Sequence, residues 1–275
     1  MNSAINRLKG TVKPHIQSVI RRTFRMDPGY EFKAAPSIKQ QIINFEFKQQ
    51  PLSMMSDHTT PLYDTIAEIA EHDCYQLGEI DFSNSADSLV LDVGAQVGTA
   101  SVVISRLHRG KILCFEPLPE NCRFLQMNLN ANKVANAVVV EAAVMGQDGF
   151  AEFEVDPNSS VAGRAAGLMA TDPRVFSQSL KVKAVTLRTA LKEFPTQIIH
   201  LIKMDCEGGE YSIVDQLTPE LLPRIRYLTF EVHDLDRTRN VRVLTEKLER
   251  SGFRVLYKKE RYNRFALHHL LATRG

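Results

Sequence analysis

Ser88-Leu-Val-Leu-Asp-Val-Gly-Ala-Gln-Val-Gly98 is the stretch that decides the fold. Its first half is a short apolar run that stops at Gly94, the pattern of a buried strand, and Thr99 to Leu107 then takes up helical spacing. Strand, glycine turn and helix form the opening of a βαβ unit. Lys111-Ile-Leu-Cys-Phe-Glu116 is a second buried strand, Pro119 to Asn130 a helix with proline in its first turn, and Ala137-Val-Val-Val-Glu141 a third strand. Further along, His200 to Asp205 and Ile225 to Val232 read as strands, with short helices at Tyr211 to Leu217 and Val241 to Ser251. Phe253 to Lys258 and Phe265 to Ala272 close the series, joined by a connection short enough to require antiparallel pairing. Buried strands separated by helices mean right-handed crossovers and a parallel sheet covered on both faces. The expected fold is α/β: seven sheet strands, mostly parallel, with the last antiparallel.

Two regions break this alternation. Gly149 to Val155 and Leu180 to Val185 alternate polar and apolar like exposed strands, and a Ser-, Gly- and Ala-rich loop from Asn158 to Ala170 lies between them. This excursion over 147–186, with Arg164 near its tip, is expected to cover an acceptor site, because insertions on a rigid scaffold commonly carry specificity. Upstream, Leu62, Ile66, Ile69 and Ala70 mark one face of a helix running to about Leu77. Residues 27–60 show no firm periodicity and read as an irregular connector. Residues 1–26 carry six basic side chains and no acid, with apolar positions at helical spacing, interrupted by Pro14. The division expected is therefore a basic arm and connector over 1–60 and one domain over 61–275.

Composition bounds the function. The 275 residues carry 34 basic and 32 acidic side chains, a formal charge of +2, which gives no global case for a nucleic-acid partner. No apolar run approaches the roughly 18 residues needed to span a bilayer, and no secretory leader opens the chain. Cys74, Cys114, Cys122 and Cys206 are widely spaced, as suits a reducing cytoplasm rather than a disulfide framework or a zinc knuckle. The basic arm leaves peripheral contact with an anionic membrane open, alongside docking on its own domain or in a homo-oligomer.

The glycine loop points to a ligand without phosphate. Gly94 and Gly98 lack the middle glycine of the dinucleotide fingerprint, since position 96 is Gln, and Asp92 would repel a pyrophosphate. Asp92 instead suits an ammonium group, directly or through water. Glu116, at the end of the second strand, is placed to accept hydrogen bonds from vicinal ribose hydroxyls. A nucleoside with a cationic amino-acid tail is S-adenosyl-L-methionine. Taken alone, the loop is equally a structural strand-to-helix turn, and Glu116 a solvated strand cap.

Asp92-Val-Gly-Ala-Gln-Val-Gly98, Cys114-Phe-Glu-Pro-Leu-Pro-Glu-Asn121, Glu141-Ala-Ala-Val144, Ile202-Lys-Met-Asp-Cys-Glu-Gly-Gly-Glu210 and Phe230-Glu-Val-His233 together resemble the FkbM family of methyltransferases. The resemblance covers about Ser88 to Ala272. It implies the class I methyltransferase (Rossmann-like) fold, S-adenosyl-L-methionine as donor, and typically O-methylation of a hydroxyl on a small molecule, sugar or natural product. By position, Asp92, Gly94, Ala95 and Gly98 would line the methionine end of the donor and Glu116 its ribose. Leu118 would lie against the adenine, with Ala142 and Ala143 at its edge.

The carboxyl ends of the fourth and fifth strands bring Asp205, Glu207, Glu231 and His233 together as the candidate catalytic group, and Asp205 also neighbours the donor. His233 is the candidate base, since a free imidazole titrates near neutrality, although a histidine after a buried strand is often a hydrogen-bonded structural residue. Glu210 fits equally a helix N-terminal acid. Asp205 and Glu231 could also hold Mg²⁺ as hard oxygen ligands, but nothing forces a metal and none is assigned. The adjacent His268 and His269 point to opposite faces of a strand and make a poor metal pair. An N-methyltransferase and a donor-binding subunit without catalysis remain as rival readings.

Overall fold

The computed structural model describes residues 40–57, 60–156, 159–165, 178–262 and 265–274. The basic segment over 1–26 lies outside them. Lys39–Gly275 forms one compact unit.

Strands β1 (Gln40–Phe47) and β2 (Gln50–Asp57) form an antiparallel hairpin where the sequence reads as irregular. The turn explains the miss. Lys48 and Gln49 both take left-handed backbone, φ 48 and 64, a conformation that hairpins ordinarily signal with Asn-Gly or Asp-Gly. Next come helix α1 (Leu62–Ile66), a π-helical turn over Ala67–Glu71 and a 3₁₀ turn over Leu77–Glu79, so the helix expected through Leu77 is interrupted. Strand β3 (Leu89–Val93) leads into α2 (Thr99–Ile104), β4 (Lys111–Glu116), α3 (Pro119–Ala131) and β5 (Ala137–Glu141).

β6 (Ala143–Val144) precedes the excursion, which contributes β7 (Gly149–Asp156), β8 (Ser159–Ala165) and β9 (Gln178–Val185), and the four form a sheet in the order β6-β9-β7-β8. Part of the expected loop is thus a strand, β8, which supplies backbone partners to the otherwise open edge of β7. The rest of that loop, 166–177, lies outside the described residues. After α4 (Leu187–Ala190), the chain continues through β10 (Ile199–Met204), α5 (Glu210–Val214), β11 (Ile225–Val232), α6 (Val241–Arg250), β12 (Arg254–Tyr262) and β13 (Phe265–Thr273).

The main sheet has seven strands in the order β12-β13-β11-β10-β3-β4-β5. β5, β4, β3, β10 and β11 run parallel, and β13 is antiparallel to both β11 and β12. This is the class I methyltransferase arrangement. The order reverses between β3 and β10, so the crevice above their carboxyl ends is where an open α/β sheet places its ligand. Every residue of β3 and β10 is buried, as expected of central parallel strands covered on both faces. Leu89, Leu91, Phe115, Ile202 and Phe230 fill one face, and Val90, Ile112, Leu125 and Leu201 the other.

The hairpin is fastened to this layer by two asparagines four residues apart, Asn128 on α3 and Asn132 at its C-terminal cap. The Asn128 amide nitrogen donates to Met55 O (2.8 Å) and Val97 O (2.7 Å), and its oxygen accepts from Met55 N (2.7 Å). Asn132 repeats the pattern on Ser53, accepting at 3.0 Å and donating at 2.6 Å. The two side chains thereby satisfy the free edge of β2, where an unpaired buried amide or carbonyl would cost about 1–3 kcal/mol. Asn128→Leu is therefore expected to lower stability by at least about 2 kcal/mol, read from the urea midpoint. An unchanged midpoint would show that these bonds do not hold the hairpin.

Candidate active site

A cavity of about 350 Å³ opens over the carboxyl ends of β3, β4, β10 and β11. Its floor depends on one buried cation. Lys203 stands opposite Asp92 in the β10–β3 register. Its Nζ lies 3.1 Å from Asp92 Oδ1 and 3.9 Å from Asp205 Oδ2, and it donates to Gly94 O at 2.9 Å. Ser101 Oγ donates to the other Asp92 oxygen at 2.6 Å. Burial alone would pull the Lys203 ammonium down, but Asp92 and Asp205 hold it above its ordinary value. Asp92 is consequently sealed beneath the loop and does not face the cavity, because Lys203 and Ser101 already occupy its carboxylate.

The loop above is shaped by left-handed backbone at Gly94, Gln96 and Gly98. A Cβ at Gly94 would sit 1.8 Å from Asp205 O, so only glycine lets β3 and β10 open around the site at this spacing. Gly98 instead packs on α3, where a Cβ would meet Leu125 Cδ1 at 2.4 Å. Of the residues assigned to the donor by position, Gly94, Ala95, Glu116, Leu118, Ala143 and Asp205 line the cavity, and Asp92, Gly98 and Ala142 do not.

Glu116 is 5 % exposed and accepts three hydrogen bonds: Gln96 N at 2.9 Å, Leu118 N at 3.0 Å and the Asn121 amide at 3.2 Å. Burial raises its pKa, partly offset by these donors. A carboxylate offers about four lone-pair positions, so one remains for a ligand hydroxyl. Beyond it, Leu118, Ala143, Val144 and Phe153 give the wall an apolar end.

The opposite end is acidic. Asp205, Glu207 and Glu231 face the cavity, joined by Asp64 and Glu68 from the segment after the hairpin. Tyr75 Oη donates to Asp205 Oδ2 at 2.6 Å, and Lys203 helps hold the Asp205 carboxyl below its usual range against the effect of burial. Glu68 sits on the π-helical turn, and burial with the Glu231 and Asp205 charges pushes it up to about 7.

His233 does not itself line the cavity, but its ring lies against the acids that do. Its Nδ1 is 3.1 Å from Glu210 Oε1, and its Nε2 is 3.5 Å from Glu231 and 3.7 Å from Glu207. Burial would lower its pKa, but these carboxylates raise it well above the ordinary value. Glu210 is fully buried and also accepts from Cys206 N and Gly208 N, each at 3.3 Å, so it braces the turn after β10.

Residues 92–255 match the family model for the methyltransferase FkbM domain. The chain belongs to the FkbM methyltransferase family. No curated protein matches it. Among solved structures, the methyltransferase FkbM from Methylobacillus flagellatus KT aligns at 14% identity and TM-score 0.49, covering 72% of this chain and 46% of that one. The precorrin-6y C5,15-methyltransferase from Geobacter metallireducens GS-15 aligns at 18% identity and TM-score 0.41, covering 71% and 84%. The N-terminal domain of human METTL16 in complex with SAH aligns at 15% and 0.40, covering 77% and 68%. Among the described residues of this FkbM-family chain, no helix is long and apolar enough to cross a membrane.

Lys203, Tyr75 and Glu68 escaped the sequence reading. The signal for Lys203 was present, since a lysine inside an otherwise apolar parallel strand requires a buried partner. Tyr75 and Glu68 had none, because their placement depends on how the segment after the hairpin folds over the sheet. The Glu68 shift has a defined sign. A carboxyl with a folded value near 7 and an ordinary value of 4.5 favours folding below pH 4.5, and loses that contribution as pH rises to 7. Discounted for its partial exposure, Glu68→Gln is expected to stabilise by about 1–2 kcal/mol at pH 8 and by little at pH 4.5. Denaturant midpoints at both pH values check this, and equal gains at both would contradict it.

Proposed function

We propose that this FkbM-family protein transfers a methyl group from S-adenosyl-L-methionine to a hydroxyl of a small or glycosylated acceptor. The observation that carries the reading is the charge of the cavity. Six carboxylates line it, Asp64, Glu68, Glu116, Asp205, Glu207 and Glu231, against the single ammonium of Lys203. Such a field attracts a cationic ligand and repels a pyrophosphate. The donor fits what is present: Glu116 retains an acceptor position for the ribose, the apolar end suits an aromatic base, and Gly94, Ala95 and Asp205 surround the place for its amino-acid tail.

When bound, S-adenosyl-L-methionine supplies a methyl group already activated by a positive sulfur. The chain's residues then have two tasks, to align the acceptor oxygen and to remove its proton. Positive charge develops on that oxygen as it accepts the methyl group, and Asp205, Glu207 and Glu231 are placed to stabilise it electrostatically. Glu207, a cavity-lining carboxylate, is the assigned proton acceptor. His233 is assigned to position Glu231 and Glu207 rather than to act as the base.

The acidic wall also favours oxygen over nitrogen as the acceptor atom. Carboxylates raise the pKa of a neighbouring amine and hold it as an ammonium with no lone pair to react, whereas a hydroxyl keeps its lone pairs while donating to a carboxylate. Incubation with methyl-labelled donor and a panel of hydroxylated and amino acceptors, read by fragmentation mass spectrometry, is expected to place the label on oxygen. Label confined to nitrogen would overturn the O-methyl assignment. Glu116→Gln is expected to weaken S-adenosylhomocysteine binding at least about tenfold, or about 1.4 kcal/mol, by calorimetric titration. Unchanged affinity would contradict the ribose assignment.

A further inference from the structure

The acceptor end of the cavity has a feature that donor binding leaves unused. Asp205, Glu231 and His233 each present one ligating atom, and the three atoms all lie within 4.8 Å of one another. Two come from adjacent parallel strands: Asp205 follows β10 directly and Glu231 belongs to β11, whose end carries His233. We propose that these three side chains bind a divalent cation of the Mn²⁺ type, with its remaining coordination positions open toward the acceptor.

The geometry of the imidazole supports this assignment. Glu210 Oε1 engages Nδ1 at 3.1 Å, which leaves Nε2 turned toward Glu231 Oε1 at 3.5 Å and Glu207 Oε2 at 3.7 Å. Neither distance is that of a good hydrogen bond. A carboxylate on one ring nitrogen, fixing the tautomer and aiming the other, is the usual support of a metal-ligating histidine. Ligands about 2.1 Å from a shared cation stand roughly 3–3.5 Å apart when adjacent, and the His233–Glu231 pair already has that spacing.

A second observation comes from the neighbouring strand. His269 lies directly across from Glu231 in the β11–β13 register and is 1% exposed. Neither of its ring nitrogens has a hydrogen-bond partner, and Nε2 points at the other Glu231 oxygen from 3.5 Å. A buried imidazole with both nitrogens unsatisfied is costly. A hydrated cation drawn between the carboxylates would bring polar partners to this place. Nearby, Lys203 is shared with Asp92 beneath the loop and does not neutralise Glu231.

The donor set selects the ion. Two carboxylates with one imidazole is a mixed oxygen and nitrogen site, more suited to Mn²⁺ or another first-row ion than to the all-oxygen preference of Mg²⁺ or Ca²⁺. If the methyl-transfer reading holds, an ion here would chelate two neighbouring acceptor oxygens, which makes a vicinal diol or an ortho-dihydroxy ring the matching acceptor class.

Electron paramagnetic resonance titration of the full-length protein with Mn²⁺ alone tests the site without recourse to activity. One ion per chain is expected, with a nitrogen hyperfine coupling in the spin-echo modulation from the His233 ring. Glu231→Gln, which preserves shape, is expected to weaken Mn²⁺ binding at least tenfold, and His233→Ala to remove the nitrogen coupling. A titration in which Mn²⁺ stays free would overturn the proposal, as would binding without nitrogen coupling or binding indifferent to both variants. The wild-type coupling stands as a test even if a variant fails to fold. Calorimetry with S-adenosylhomocysteine on the same samples separates the two readings. Donor-product binding without Mn²⁺ binding removes the cation site alone, and Mn²⁺ binding without donor-product binding removes the donor assignment instead.

Discussion

The site rests on the Lys203 ammonium, a full charge buried in the middle of a parallel sheet. Such a group is tolerated only when paired and hydrogen-bonded, and Asp92, Asp205 and the Gly94 carbonyl meet that condition together. The same three contacts fix the separation between the glycine loop after β3 and the turn after β10. Gly94 tolerates no Cβ against Asp205 because this separation is so small. The cavity above inherits its shape from a charge that sits at its base and is almost inaccessible from it.

That arrangement leaves the cavity strongly negative. Asp92 takes much of the Lys203 charge, while His233 lies beside Glu207 and Glu231 and His269 beside Glu231. Crowding acids together costs stability, and Glu68 bears part of that cost, pushed up to about 7 by burial and by the Glu231 and Asp205 charges. On the proposed reading it is repaid in function. A cationic donor is drawn in, the acceptor oxygen is stabilised as it gains positive charge, and a divalent ion finds ligands already converging.

Much of this was legible from the chain. The run from Ser88 to Gly98 specifies a buried strand, a turn and a helix because apolar residues stop abruptly at a glycine, and the later strands declare themselves the same way. Glu116 and Asp205 could be placed at strand ends and hence on the ligand side of the sheet. What could not be read was anything fixed by contact across the fold. Asp92 looks like a ligand for an ammonium in sequence, and is one, but the ammonium belongs to Lys203. The β1–β2 hairpin turns through Lys48 and Gln49, which carry no turn signature, and its attachment relies on Asn128 and Asn132, which look like ordinary helix-surface residues until β2 lies against them. His233 sits beside Glu207, Glu210 and Glu231, whose charges raise its pKa above the ordinary value against the effect of burial, and that mutual arrangement is set by the fold rather than by the local sequence.

A crystal structure of the protein grown with S-adenosylhomocysteine tests the central claim most directly. The ligand is expected in the crevice between β3 and β10, with one ribose hydroxyl on Glu116, its base against Leu118 and Ala143, and its amino-acid tail beside Gly94 and Asp205. A crevice left unfilled, or a ligand held elsewhere on the molecule, would contradict the account.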